Sequence, residues 1–115
     1  MPHIYRAVVR GEFDGLSAEL TEQLRREAPE HDIFLSSYTA EGTLTFDDSL
    51  HAFSFRFEVR EPDGERSEDA CRVAAQDEAL RRARAYLDGR SIGSKRLRAS
   101  VTNMADMWRR SSDDS

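Results

Sequence analysis

A strict alternation of side-chain type from residue 51 to residue 59 constrains the fold more than any other feature of the sequence. The odd positions are histidine, three phenylalanines and valine, whereas the even positions are alanine, serine, arginine and glutamate. Residues two apart share one face of a β-strand, so this period predicts a strand with one buried face. We therefore expect Phe53, Phe55 and Phe57 in the core, with His51 beginning the strand on the same inward face.

The remainder of the chain predicts two helices and four further strands. The first helix follows a turn at residues 14–15, is capped by Ser17, carries leucines every four residues and ends at Pro29. The second runs from Ser67 to Leu87 and is capped by Gly89. Its apolar side is small and consists of Val73, Ala75, Ala79, Leu80, Ala83, Tyr86 and Leu87. The further strands are expected at residues 4–11, 33–39, 43–46 and 96–101.

This order of elements predicts an α+β fold of the ferredoxin-like, split βαβ type. Both helices would cover one face of an antiparallel sheet, and one additional strand would lie in the central hairpin region. The other sheet face is left open, and such faces are commonly buried by pairing two subunits, so we expect a homodimer. We expect one domain over residues 1–110 and a disordered polar tail over residues 111–115.

The net charge of −5 argues against a general nucleic-acid binder, but the charge is unevenly distributed. Residues 81–98 carry a net charge of +6, so the rest of the chain carries −11. This basic stretch can attract an acidic partner, although a run of charge is also typical of a solvated surface. The sequence has neither an apolar run as long as a membrane helix nor the pattern of a signal peptide, so we expect a cytoplasmic protein that does not enter membranes.

Few side chains suggest a chemical role. A histidine at the end of an apolar strand can act as a general base, so His51 is the candidate catalytic residue, unless it is a rim histidine satisfied by a turn or water. Arg56 can hold an anion or line a polar dimer interface, or it can form a cross-strand ion pair. Cys71 fits a small buried side chain. The spacing of the three histidines predicts no metal site, and no motif predicts a cofactor.

A second candidate site is apolar. Tyr38 together with Phe53, Phe55 and Phe57 can border a cavity between the sheet and its helices, where a small aromatic ligand would bind. Ordinary core packing requires the same residues, so the two alternatives remain open at this point.

Four segments together resemble a family of small uncharacterised actinobacterial proteins that is described as a domain of unknown function. These segments are YRAVVRGEFDGL at residues 5–16, YTAEGTLTFD at 38–47, FSFRF at 53–57 and KRLR at 95–98. The resemblance covers residues 5–105. It implies a shared fold, and it carries over no catalytic residue because the family has none established.

Two hypotheses of function follow. In the first, a homodimer binds an apolar or aromatic small molecule beside the phenylalanine strand. If that protein is an enzyme, the fold analogy points to cofactor-independent oxygenation or cyclisation, with His51 as base and Arg56 or Tyr38 as polarising group. In the second, a non-catalytic interaction protein uses the basic residues 81–98 to bind an acidic partner or nucleic acid, with an affinity that depends steeply on salt.

Overall fold

The computed structural model describes residues 3–32, 36–62 and 66–105. Within these ranges the chain forms four β-strands, two α-helices and one short 3₁₀ helix. In chain order the elements are β1 (His3–Phe13), α1 (Ala18–Glu27), the 3₁₀ helix (Ala28–His31), β2 (Thr43–Phe46), β3 (Ala52–Glu61), α2 (Glu68–Gly89) and β4 (Ser94–Asn103). The predicted α+β class is confirmed.

The four strands form one antiparallel sheet in the order β2-β3-β1-β4. The long strand β1 pairs with β3 on one side and with β4 on the other, and β3 also pairs with β2. Because β3 is antiparallel to both of its neighbours, β1 and β2 run in the same direction on either side of it. The two central strands, β1 and β3, therefore determine which side chains face the core.

The additional strand expected at residues 33–39 is not formed in the part of it that the structure describes. Residues 36–38 are not in a strand, and Thr39 makes one isolated parallel bridge with Phe57. The backbone amide of Glu58 donates to the carbonyl oxygen of Thr39 over 2.8 Å. Residues 33–35 lie outside the described residues, as do residues 106–115, where the polar tail was predicted.

The core lies between one face of the sheet and the helices. The predicted alternation in β3 is confirmed, since Phe53, Phe55 and Phe57 are buried while the residues between them are partly exposed. The rings of Phe55 and Phe57 are stacked, with their centroids 5.6 Å apart. The same cluster of buried residues contains Leu24 of α1 and a stripe from α2, namely Cys71, Ala75, Ala79, Ala83 and Leu87. Small side chains at four-residue spacing allow α2 to lie close to the bulky strand.

Both predicted helix starts are confirmed by their caps. The side-chain oxygens of Ser17 and Ser67 accept hydrogen bonds from the backbone amides three residues later, each over 3.1 Å. These bonds satisfy amides that have no partner within the helix. Val73, predicted on the apolar side of α2, was placed wrongly, because it is exposed and lies off the four-residue spacing of the buried stripe. Tyr86 is also partly exposed, but its ring packs against that of Phe55 in the core.

The strands β1 and β4 are longer than the sequence pattern predicted. Gly11 does not end β1, which continues to Phe13 after a shift of register against β4 between Arg10 and Glu12. Such a bulge lets the strand bend and continue. A Cβ atom at Gly11 would lie 2.8 Å from Cζ of Phe53, so the ring of Phe53 fits there because Gly11 has no side chain.

A partly buried polar cluster joins β1, α2 and β4 at one end of the molecule. The hydroxyl of Tyr5 donates to Glu68 over 3.4 Å, and the carboxylate of Glu68 also accepts from Asn103 and Arg72. Burial, with the neighbouring Glu68 charge, raises the pKa of Tyr5 to about 12. The hydrogen bond from Asn103 lowers the pKa of Glu68. These groups have partners within the fold, and we interpret the cluster as structural.

In the part of the chain that the structure describes, neither helix combines the length and the apolar character needed to cross a bilayer.

Candidate functional site

The sheet face opposite the core, here called the open face, carries a concentration of arginine. The register places the even residues of β1 and β3 on this face together with their partners in β2 and β4. Its five arginines are Arg6, Arg10, Arg56, Arg60 and Arg98. The acidic side chain in the middle of this face is Glu58, directly opposite Arg6. The open face is therefore strongly positive on a chain whose net charge is −5.

One cross-strand row of the open face places two arginines directly opposite each other. Arg10 is paired with Arg98 on β4 and with Ser54 on β3, and Ser54 is paired with Thr45 on β2. The hydroxyls of Thr45 and Ser54 are 2.6 Å apart. Like charges at directly opposed positions of an antiparallel pair destabilise the sheet. The row therefore combines two guanidinium groups with two hydroxyls and carries no carboxylate.

Among the described residues, the five arginines of the open face form no ion pair. Arginines elsewhere do form such pairs, since Arg90 binds Glu27 through two hydrogen bonds of 3.0 and 2.8 Å. The cross-strand ion pair considered for Arg56 is thus absent within those residues, although Glu58 lies on the same strand face. Within the described residues, the positive charge of the open face is therefore not neutralised by ion pairs.

Tyr38 lies on the open face, which separates it from the phenylalanines with which it was grouped. The guanidinium carbons of Arg6 and Arg56 are 4.9 and 5.5 Å from the centroid of the Tyr38 ring. Both are within the range of a cation–π contact. The expectation that Tyr38 borders an apolar cavity in the core was therefore wrong. The other three open-face arginines, Arg10, Arg60 and Arg98, have no such aromatic contact among the described residues.

The three phenylalanines of β3 are held in the core by contacts with other aromatic rings. The ring of Phe53 lies 4.9 Å from that of Phe13, and the ring of Phe55 lies 5.4 Å from that of Tyr86. Phe53 also lines an open groove at the end of the sheet. A ligand-binding role for Phe53, Phe55 and Phe57 stays a prediction.

His51 does not lie on the inward face, as the alternation suggested. It precedes β3 and its side chain is 78% exposed. Its Nε2 atom is 3.4 Å from Oε1 of Glu12, and Oε2 of Glu12 accepts a 2.9 Å hydrogen bond from Arg96. This bond from Arg96 lowers the pKa of Glu12. A carboxylate therefore lies beside His51 at the surface, and the catalytic role of His51 stays a prediction.

The groove at this end of the sheet has a volume of about 950 Å³ and joins the open face to the edge of the core. Its polar wall includes Arg10, Arg98 and Ser54, and Glu12 and His51 also line it. Its apolar wall consists of Ala28, Pro29, Phe46 and Phe53. The groove is also lined by the carboxylates of Asp47 and Asp48. It therefore brings together positive, apolar and negative surfaces.

Sequence patterns did not identify Arg10 as a site residue, and they placed Arg98 only within a basic run. A signal was present for both, since Arg6 and Arg10 alternate with apolar residues in β1 and Arg98 alternates with Leu97 and Ala99 in β4. This alternation assigns each arginine to the outer face of its own strand. It does not reveal that β1 and β4 are neighbours in a register that opposes Arg10 and Arg98.

These features define the class of protein: a small α+β domain whose antiparallel sheet has one face packed on helices and one arginine-rich open face. The model of a family of unknown function (DUF6204) matches residues 1–114, and the chain belongs to this family. The resemblance to a domain of unknown function is thereby confirmed. Comparison with curated proteins and with solved structures gave no match.

Proposed function

We propose that this protein binds an anionic ligand on the open face of its sheet, at Arg10 and Arg98. The observation that carries the proposal is the direct opposition of these two arginines in a row without a carboxylate. An anion between the two guanidinium groups would remove their repulsion, and the planar fork of arginine suits the oxygens of phosphate and carboxylate. The hydroxyl of Ser54, in the same row, is a further donor for such oxygens.

The neighbouring arginines favour this position for the anion over other positions on the open face. Arg56 is diagonal to Arg10 in the register, because Arg10 is opposite Ser54 and Arg56 is two residues further along β3. It adds a third positive charge near the row. Arg6 and Arg56 are already in contact with Tyr38, whereas Arg10 and Arg98 have no aromatic or acidic partner among the described residues.

The basic run at residues 81–98 is a weaker candidate for the binding surface, because the fold divides it and pairs four of its seven basic residues with carboxylates. Arg81 and Arg82 pair with Glu78 on the same helix, Arg90 pairs with Glu27 and Arg96 pairs with Glu12. Arg98 is separated from the helical part of the run and belongs to the open face. An acidic partner, as in the alternative hypothesis, would thus bind the arginines of the sheet and not those of α2.

A ligand enclosed between the phenylalanines of β3 is also less well supported. Phe55 and Phe57 are 1% exposed and are stacked on each other, so a ligand there would have to displace packed side chains.

The order of the strands also bears on the fold type. We further infer a ferredoxin-like plan for the fold. The order β2-β3-β1-β4, with a helix after β1 and another after β3, supports this assignment.

The test is a titration of the purified protein with inorganic phosphate, followed by calorimetry and by the thermal unfolding midpoint, at low and at high sodium chloride concentration. A ligand that binds the folded state raises the midpoint. We expect phosphate to raise it at low salt, and we expect Arg98→Gln to reduce the increase strongly. Added salt should weaken the effect, because exposed charges are screened.

Arg84→Gln is the matched control, because it removes the same charge from an exposed arginine of the basic run on α2. It should bind phosphate as the unmodified protein does. Equal loss of binding in Arg84→Gln and Arg98→Gln would show that the loss comes from the change in net charge, and it would contradict the proposal. No phosphate binding by the unmodified protein would also contradict it.

A further inference from the structure

The geometry points to a ligand of a particular chemical class: a single phosphate or carboxylate group joined to an apolar body. This inference rests on the proposed function, since it places the anionic group at Arg10 and Arg98. It goes beyond that function by assigning the remainder of the ligand to the groove that opens beside these arginines.

The polar row and the apolar wall line one continuous groove. Arg10, Ser54 and Arg98 belong to the open face, whereas Phe46 and Phe53 belong to the core face and reach the groove at the end of the sheet. Ala28 and Pro29, from the 3₁₀ helix, complete the apolar wall. A molecule with its anionic group on the arginines can therefore place an apolar part against these side chains without leaving the groove.

Carboxylates in the groove disfavour a ligand that carries a second negative group. Asp47 and Asp48 follow β2 and both line the groove. The carboxyl of Asp47 accepts hydrogen bonds from the backbone and the hydroxyl of Ser49, which lowers its pKa and keeps it negatively charged. Glu12, also on the groove, has a lowered pKa because of its bond with Arg96. A polyphosphate or a nucleic-acid strand would bring phosphates against these carboxylates.

The volume of the groove is consistent with a small molecule. About 950 Å³ lies at the upper end of the range for small-molecule sites, which measure roughly 300–1,000 Å³. Within the groove the positive row ends at the carboxylates of Glu12, Asp47 and Asp48, so a polyanion that followed the groove would meet charge of its own sign. We therefore favour a small amphipathic anion over a polyanion.

The experiment compares three probes by calorimetry at constant ionic strength: inorganic phosphate, phenyl phosphate and tripolyphosphate. Burial of the ring against the apolar wall should make phenyl phosphate bind about tenfold more tightly than inorganic phosphate. Removal of one charged hydrogen-bonding group in Arg98→Gln should weaken both by about tenfold or more. Tripolyphosphate should bind more weakly than phenyl phosphate.

Asp48→Asn provides a second, independent test of the groove. Asp48 is exposed, so its replacement does not disturb the core. It should strengthen the binding of tripolyphosphate while changing that of phenyl phosphate by less. Equal affinity for inorganic and phenyl phosphate, or tighter binding of tripolyphosphate than of phenyl phosphate, would overturn the inference and leave the proposed function in place. Failure of all three probes to bind would overturn the proposed function itself.

Discussion

Gly42 lies where both the backbone and the surroundings exclude a side chain. Its φ of +91° is in the region that glycine favours, and a Cβ atom there would lie 2.2 Å from Cε1 of Phe57. The amide of Gly42 is fixed by a 2.9 Å hydrogen bond to the hydroxyl of Thr39, which bridges to Phe57 on β3. The loop before β2 can therefore lie against the ring of Phe57 only because residue 42 has no side chain.

Gly42→Ala should destabilise the protein more than Gly15→Ala does. Both glycines have positive φ, which costs about 1–2 kcal/mol for alanine, but the space around Gly15 is open. At Gly42 the collision with Phe57 adds a cost of about 1–3 kcal/mol, because the ring must move within a packed core. Urea unfolding of the two variants measures the difference. Equal losses of stability would show that the contact with Phe57 carries no cost.

At the scale of the element, α2 ends in a Schellman motif. Serine takes the position that glycine usually takes in this motif. The amide of Ile92 donates to the carbonyl of Leu87 over 2.8 Å, and the amide of Ser91 donates to that of Asp88 over 3.1 Å. This pattern requires a left-handed residue after the cap, and Ser91 has a φ of +59°. Gly89, predicted as the cap, is instead the last helical residue.

Ser91→Gly should therefore stabilise the protein by about 0.5–1 kcal/mol, because glycine adopts positive φ without strain. The change is measured as the shift of the urea midpoint at constant slope. Ser100→Gly is the matched control, since Ser100 is an exposed residue in β4. Glycine weakens a strand interior, so this control should lose stability. A loss of stability in Ser91→Gly would contradict the assignment of strain at the cap.

For the whole molecule, the open face determines how two copies can associate. The homodimer stays a prediction, and its expected interface is the sheet face that the helices leave uncovered. That face carries five arginines, so two copies meeting there would bring ten guanidinium groups together, with Glu58 from each as a compensating charge. Direct contact would therefore be opposed by like charge unless anions lie between the copies.

We predict that inorganic phosphate promotes the dimer and that sodium chloride of equal ionic strength does so less, because only phosphate can bridge arginines from both copies. Sedimentation equilibrium measures the mass under each condition. The variant Arg10→Gln should need more phosphate to reach the same mass. A dimer equally stable without phosphate, or unaffected by Arg10→Gln, would place the interface elsewhere.

The sequence determined the elements whose signal is local. The alternation in β3 predicted its buried phenylalanines, serine at a cap position predicted both helix starts, and alanines at four-residue spacing predicted the buried stripe of α2. Each of these signals depends on a few neighbouring residues, for which the backbone geometry fixes the direction of the side chains. The α+β class follows from the order of the elements.

The tertiary structure alone decided the site. The sequence placed His51 inward by extending the alternation one residue too far, and it grouped Tyr38 with aromatic residues that lie on the other side of the sheet. It gave no means of knowing that Arg10 and Arg98, 88 residues apart, are directly opposed. Register between distant strands depends on the packing of the whole chain, since a shift of one residue reverses every side chain. The sequence thus determined the outward face of β1, β3 and β4, and only the fold decided which of the outward residues meet.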